Sequence, residues 1–560
     1  MSTRMSDPSR LPAVRRGISR RAAAALLAVA GAVAALLWPA TREDVAAMIV
    51  QGSDLASVKA AVQSVGGTVT HELEIIGAVA AELTAPQRAE LASSEGVSKV
   101  YPNARVETAV IGSTSFPEYP LAARASGLHT RDLTGLGVTV AVVDTGISVK
   151  GAPQEYFHHL ADNTLGELRI LAQYDAIDDA SPRAERNTDE SGHGTHVTSV
   201  IASSKSTNGW TYNGIAPDAN LVVVQAFDEN GRGTYADVIR GLDWIHANQS
   251  TYDIRVANLS FSAAPRSHYW EDPLNQAVMR LWQAGIVVVA SAGNTGPEPM
   301  TVGVPGNVPY VITVGALTDA ATPSTFSDDS LCSFSSTGPT YEGFVKPEVV
   351  APGGHLLGLM DKKHSLALEH PEFSHYNGYS VMSGTSQAAA VVSGIAALVL
   401  QANPALTPDE VKCALISTAK PAHDLEGKKV YSIFQQGAGL VDAIGAVDNA
   451  EYGCANAGLD VDLDLAGIEH YAGPAGQDEN GTFYLIGEVG DGYTWDGTYQ
   501  GGTGYPWSNG YPWSNGYPWS NGYPWSNGYP WSNGYPWSDG YPWSAGLAEP
   551  ASINVWVAQE

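Results

Sequence analysis

Two kinds of hydrophobic patterning divide the chain. Between Ala46 and Val106, short apolar runs alternate with amphipathic ones: "AMIVQ", "DLASVKAAVQSVGG", "TVTHEL", "IIGAVAAEL", "TAPQRAELASSEG" and "VSKVYP". This predicts a small α+β domain over residues 46–108, in which Thr84 and Gln87 have the capping-box spacing of a helix start. A Gly-, Ser- and Pro-containing linker, "AVIGSTSFPEYP", spans 109–120. Beyond it, "VTVAVV" (138–143), "LVVVQAF" (221–227), "RVANLSF" (255–261), "IVVVASA" (286–292) and "YVITVGA" (310–316) are continuous apolar runs, the mark of strands buried on both faces. Helical stretches such as "TYADVIRGLDWIHAN" and "DPLNQAVMRLWQAG" lie between them, and "TPDEVKCALISTA" begins with the cap, proline and reciprocal acid of a helix start. The fold class over 121–449 is therefore α/β, a mostly parallel sheet covered by helices on both faces, with its ligand crevice at the carboxyl ends of the strands.

The two ends read differently. Residues 1–42 carry the pairs Arg15-Arg16 and Arg20-Arg21 before an apolar run from Ala22 to Trp38. That order predicts an export signal, with retention in a membrane through residues 22–38 as the alternative. The run is short for a span. In 450–503 only weak strand signals occur, around "DVDLDL". Residues 504–545 repeat "GYPWSN" with a period of six, and 546–560 form a tail. The repeats hold half of the chain's 14 Trp without the spacing of a packed core. They read as a low-complexity spacer, or as exposed aromatics for surface or glycan contact.

Composition narrows the function. The 560 residues carry a net charge of −28, and the N-terminal 42 hold seven Arg and one Asp, so the remainder is more acidic still. Nucleic acid is excluded as a partner on this ground. Cys332, Cys413 and Cys454 allow one disulfide at most and leave one thiol over, and their spacing does not say which.

Four short segments carry chemistry. "VTVAVVDTGI" ends a buried strand with Asp144, "SGHGTHVTSVIAS" puts His193 between two glycines at a helix start, and "ASAGNTGP" follows a strand with Asn294. "SGTSQAAAVVSGIAALVL" opens a buried helix with Ser386, which reads either as a cap or as a nucleophile presented at a helix N-terminus. Together they supply a nucleophile, a base, an orienting acid and an oxyanion donor in the order Asp, His, Asn, Ser. With "HGTHV", "NLSFS", "ASAGN", "KPEVVAPG", "SGTSQAAA" and "QGAGLVDA", the stretch from about Val138 to Ala446 resembles the subtilases, a family of serine endopeptidases with a subtilisin-like fold.

The resemblance implies that Asp144 orients His193, that His193 is base and then acid, and that Ser386 is the nucleophile, with the Asn294 amide and the Ser386 N–H as the oxyanion hole. It implies protein or peptide substrates, paired as an added strand between Gly231, Arg232 and Gly233 on one side and 258–262 on the other, with Tyr235 near an outer subsite. The slot for the residue before the cut bond is then bordered by Ser260, Phe261 and Ser262 and by Ala292, Gly293 and Asn294. Ser262 stands where a glycine is usual and Phe261 where a leucine is, predicting a narrow slot for a medium apolar side chain. Gln387 and Ala390 replace the usual Met and Pro after the serine. Residues 46–108 resemble the family's ferredoxin-like inhibitory propeptide, an intramolecular inhibitor released by self-cleavage within 108–120. The chemistry needs no cofactor; structural calcium is common in relatives, and the carboxylates of 175–190 are the candidate ligands here. The expectation is a secreted or extracytoplasmic, self-processed endopeptidase. The rival is an inactive scaffold that binds through its aromatic repeats.

Overall fold

The computed structural model describes residues 45–102 and 119–499, apart from breaks at 53, 74–77, 95, 152–153, 207–211, 319–328, 376–377, 423–428 and 488–491, together with 523–524 and 551–553. The expected export segment at 1–42, all but the last two residues of the expected processing region at 109–120 and nearly all of the repeats lie outside the described residues. Two compact units divide between Ile111 and Gly112.

The first unit runs β1 (Val45–Gly52), α1 (Leu55–Ser64), β2 (Thr68–Leu73), β3 (Ala78–Thr84), α2 (Ala85–Leu91), β4 (Val97–Pro102). Its sheet is antiparallel in the order β2-β3-β1-β4. Asp54 caps α1 by accepting from the Ser57 N–H at 2.9 Å, and Gln87 accepts from the Thr84 N–H at 2.8 Å at the start of α2. Val50, Val58, Val62, Val79, Leu83 and Leu91 form the core between sheet and helices.

In the second unit the chain passes through β5 (Thr139–Asp144), β6 (Ile170–Asp175), α3 (His193–Ala202), β7 (Asn220–Gln225), β8 (Arg232–Gly233), α4 (Tyr235–Tyr252), β9 (Ile254–Leu259), β10 (Phe261–Ser262), α5 (Pro273–Gln283), β11 (Val287–Ser291), β12 (Ile312–Thr318), β13 (Ser330–Leu331) and β14 (Val349–Pro352). The main sheet has the order β6-β7-β5-β9-β11-β12, continued by β14, all parallel, with β13 antiparallel against β12. Val140 to Val143, Leu221 to Val224 and Val287 to Ala290 are almost wholly buried, as the unbroken apolar runs require. Successive strands β7 and β9 lie on opposite sides of β5, so the strand order reverses there. The crevice of an open α/β sheet opens at the carboxyl ends beside such a reversal.

An antiparallel pair, β15 (Leu356–Leu359) and β16 (Tyr379–Met382), leads into α6 (Thr385–Ala402), which is buried from Thr385 to Leu400. Among the described residues α6 is the one helix long and apolar enough to cross a membrane, and its burial marks it as the core helix of this unit. In α7 (Pro408–Thr418) the expected capping box forms: the Thr407 N–H donates to Glu410 at 2.8 Å and the Glu410 N–H to the Thr407 hydroxyl at 3.3 Å.

Residues 450–499 pack onto the same core through Tyr471, Ala475, Phe483, Leu485 and Trp495, and a Cys413–Cys454 disulfide ties them to α7. Cys332 is buried and lies outside the disulfide. The "DVDLDL" segment is a helix, Val461–Leu465, not a strand. Its acid-apolar alternation is real, but Asp460 caps it by accepting from the Asp462 and Leu463 N–H groups, and Asp464 turns inward to accept from Tyr269, Tyr310 and His470. The strand signal further on is realised in the small antiparallel sheet of β17 (Tyr471–Ala472) with β21 (Tyr523–Pro524), and in β18 (Ala475–Gln477), β19 (Phe483–Leu485) and β20 (Thr494–Trp495). The last strand, β22 (Ala551–Ile553), lies between β8 and β10.

Candidate active site

Asp144 is the final residue of β5, and His193 the first of α3. Both are buried, and His193 Nδ1 lies 2.6 Å from Asp144 Oδ1, which also accepts from the Thr145 N–H at 2.8 Å. The other ring nitrogen, Nε2, is buried and has no hydrogen-bond partner. The flanking glycines are backbone necessities: Gly192 has φ of 98°, and a Cβ at Gly194 would come within 2.3 Å of the Gly146 carbonyl oxygen. That close approach lets the start of α3 press against the loop that follows Asp144.

Ser386 is the second residue of α6, and its hydroxyl does not cap the helix. It donates to the Ser260 carbonyl at 3.0 Å, while the Ser260 hydroxyl donates to the Ser386 carbonyl at the same distance. Behind this pair, Asn258 donates to the Ser260 hydroxyl at 2.9 Å and accepts from Ser393 at 2.9 Å. Two turns of α6 are thereby fixed to the end of β9. Asn294 follows β11 and accepts through Oδ1 from the Thr385 N–H at 3.0 Å and the Thr385 hydroxyl at 2.8 Å. Two donors on one side of the amide settle its orientation and leave Nδ2 buried and without a partner.

The remaining predicted residues belong to the short strands β8 and β10 and the segments beside them, the two edges expected for the substrate cleft. Gly231, Arg232 and Gly233 sit on one edge, of which Arg232 is exposed, and the main chain of Phe261 and Ser262 forms the other. The Phe261 ring is fully buried against Phe227, with centroids 5.1 Å apart, so its side chain serves the core and its backbone the cleft. A Cβ at Gly293 would lie 3.3 Å from the Ser262 hydroxyl, so these two positions face each other closely. Ser260 and Ala292 are fully buried. The Tyr235 hydroxyl donates to Asp272 at 3.2 Å, and burial raises its pKa well above the ordinary value, with Asp272 adding to the rise. A cavity of about 440 Å³ elsewhere, lined by Trp270, Met279, Asp464 and His470 among others, shares no residue with this cleft.

Two positioning residues escaped the reading of the sequence. Asp189, placed there among the calcium candidates, is buried and accepts from the Gly192 and Thr195 N–H groups and the Thr145 hydroxyl, each at 2.8 Å. It is a helix-start acid, and its spacing ahead of Gly-His-Gly was the available signal. Thr145 in turn accepts from the Gly194 N–H at 2.9 Å, coupling the Asp144 loop to the His193 helix. The second, His196, lies one turn beyond His193, with Nε2 at 3.2 Å from the carbonyls of both Leu356 and Ser380. It ties α3 to the strand pair that delivers Ser386. Burial, reinforced by the neighbouring His193, pushes its pKa down to about 4.

The acids of 175–190 do not converge. Asp175 accepts from the Ile177 and Asp178 N–H groups and Asp179 from the Tyr174 hydroxyl, while Asp189 is occupied as described. Among the described residues no group of three or more His, Cys, Asp or Glu side chains is placed to hold a metal ion. The donors these carboxylates already serve do not fit calcium.

Residues 135–445 match the profile of the Peptidase S8 group, described as the subtilase family. The chain is 38% identical to serine protease AprX of Bacillus subtilis over 362 residues, 64% of this chain and 76% of that protein. It is 31% identical to subtilisin DY of Bacillus licheniformis over 321 residues, 57% of this chain and 94% of the relative. Among solved structures, the keratinolytic, subtilisin-related fervidolysin of Fervidobacterium pennivorans aligns with a TM-score of 0.46 at 23% identity, over 74% of this chain and 62% of that one; the likeness is too loose to carry the assignment. The family match spans more than half of the chain and contains every element that brings Asp144, His193, Asn294 and Ser386 to the sheet's carboxyl edge. The chain belongs to the subtilase family of serine endopeptidases.

Proposed function

We propose that Asp144, His193 and Ser386 hydrolyse peptide bonds through an acyl-enzyme. One observation carries the reading: among the buried polar atoms without a hydrogen-bond partner are His193 Nε2 and Asn294 Nδ2, the two side-chain atoms that the reaction calls on as base and oxyanion donor. His193 Nε2 takes the Ser386 proton as Oγ attacks the substrate carbonyl carbon. The negative oxygen is received by Asn294 Nδ2 and the Ser386 N–H at the start of α6. The protonated imidazole, held by Asp144, gives that proton to the leaving amine. Water, deprotonated by the same nitrogen, then releases the acyl group and restores Ser386. In the resting site the serine hydroxyl is turned toward the Ser260 carbonyl, a geometry that tightens when substrate enters.

The enzyme is made as a secreted zymogen. The βαββαβ order of the first unit, with its β2-β3-β1-β4 sheet, supports the reading of 46–108 as a ferredoxin-like propeptide. Substrates are extended polypeptides, and the narrow approach of Ser262 to Gly293 supports a preference for a medium apolar residue before the cut bond. A cleavage profile dominated by Arg or Lys would contradict that preference.

The test is intact mass and casein digestion for the full chain beside Ser386→Ala. The wild type is expected to be cut within 108–120 and to digest casein, and the variant to stay whole and inert. Two whole, inert chains would overturn the proposal.

A further inference from the structure

The cleft carries a strand of the protein's own C-terminal tail. Ala551–Ile553 is the central member of a three-stranded antiparallel sheet, β10-β22-β8. Ser552 and Ala551 pair with Arg232 and Gly233 on one edge, and Ser552 and Ile553 pair with Ser262 and Phe261 on the other. Those edges are the ones between which an extended substrate is expected to add itself. The next residue back along the second edge from Phe261 is Ser260, whose carbonyl accepts the Ser386 hydroxyl. A strand in this register therefore runs along the cleft toward the nucleophile.

We propose that residues 551–553 are an intramolecular ligand of the substrate cleft, an extended peptide that competes with substrate for the two cleft edges. The proposal rests on the reading of the cleft as a peptide site. It needs no special side chains, because strand addition is a main-chain interaction. Tethering supplies the strength: a covalently attached segment has an effective concentration of the order of 1 mM. A tail that binds with Kd of about 0.1 mM as a free peptide would then fill the cleft roughly ten times as often as it leaves it, raising the apparent KM about tenfold with kcat unchanged.

The experiment compares processed enzyme whose mass shows 551–553 retained with the same enzyme ended after Pro550, using an extended chromogenic peptide. The expected result is a KM about tenfold lower in the shortened enzyme at equal kcat. Ser552→Pro in the full chain removes a main-chain N–H from the strand without shortening it, and is expected to lower KM similarly. A labelled peptide of residues 546–560, added to enzyme blocked at Ser386 with a sulfonyl fluoride, should bind the shortened form at least tenfold more tightly than the full one. Equal KM in all three chains, or equal peptide binding to both forms, overturns the proposal. Peptide binding needs no turnover, so absence of hydrolysis in every chain would count against the catalytic reading alone.

Discussion

Asn294 shows how much of this site depends on one atom's direction. Thr385 takes both lone-pair directions of the amide oxygen, so the nitrogen is left buried and without a partner, as the proposed oxyanion role requires. Asn294→Leu keeps the size and removes the donor; kcat is expected to fall by about 10²–10³ with KM little changed, read from initial rates on a peptide substrate. Ser386→Ala or His193→Ala should cost on the order of 10⁶ in kcat, the scale known for such groups in subtilisin. Gln387, buried next to the proposed nucleophile Ser386, offers no sulfur to an oxidant. Activity should therefore survive peroxide at concentrations that inactivate Gln387→Met within the same incubation.

At the scale of elements, helix α3 is held at its start by Asp189 and one turn later by His196. The His196 ring fills the space over β15, where a Cβ at Gly358 would stand 2.7 Å from it. Its folded pKa of about 4 lies below the roughly 6.5 of an unfolded chain. Between those values the unfolded chain binds a proton that the folded one refuses, so this stability is present above pH 6.5 and is lost as pH falls toward 4. His196→Gln should be less stable than wild type at pH 7, and urea midpoints for the two proteins should converge on acidification; parallel curves would refute the assignment. The buried strands were legible in the sequence because continuous apolar runs leave a parallel sheet few alternatives, and the helix starts at Thr84 and Thr407 because each pairs a side chain with its own local backbone. Asp189 left a local signal in its spacing to Gly192 and Thr195, but its tie to Thr145 left none. His196 was not legible in its role, since it acts through carbonyls from separate parts of the chain. Nor was the helix at 461–465, whose alternating acids mimic a strand until Tyr269 and Tyr310 are brought to Asp464.

At the scale of the molecule, the second unit is closed from its C-terminal side. Cys413 and Cys454 are joined across 41 residues, a loop whose closure constrains the unfolded chain by about 4 kcal/mol in the entropic account. Reduction under non-denaturing conditions is expected to lower the thermal midpoint of this unit by several degrees, followed by calorimetry with and without dithiothreitol. Asp464 adds a second clasp, taking the hydroxyls of Tyr269 at 2.6 Å and Tyr310 at 2.9 Å, both buried. Asp464→Leu would leave two phenols facing an apolar side chain, at a cost of about 1–3 kcal/mol for each hydroxyl left without an acceptor. These clasps bear on how the gene would be cut for production. The family match stops at 445, and a vector ended there would encode Asp144, His193 and Ser386 yet strip the acceptor from two buried tyrosines and strand Cys413 as a lone thiol. Such a clone should yield inclusion bodies, whereas one carried to 499 should give soluble protein free of the aromatic repeats.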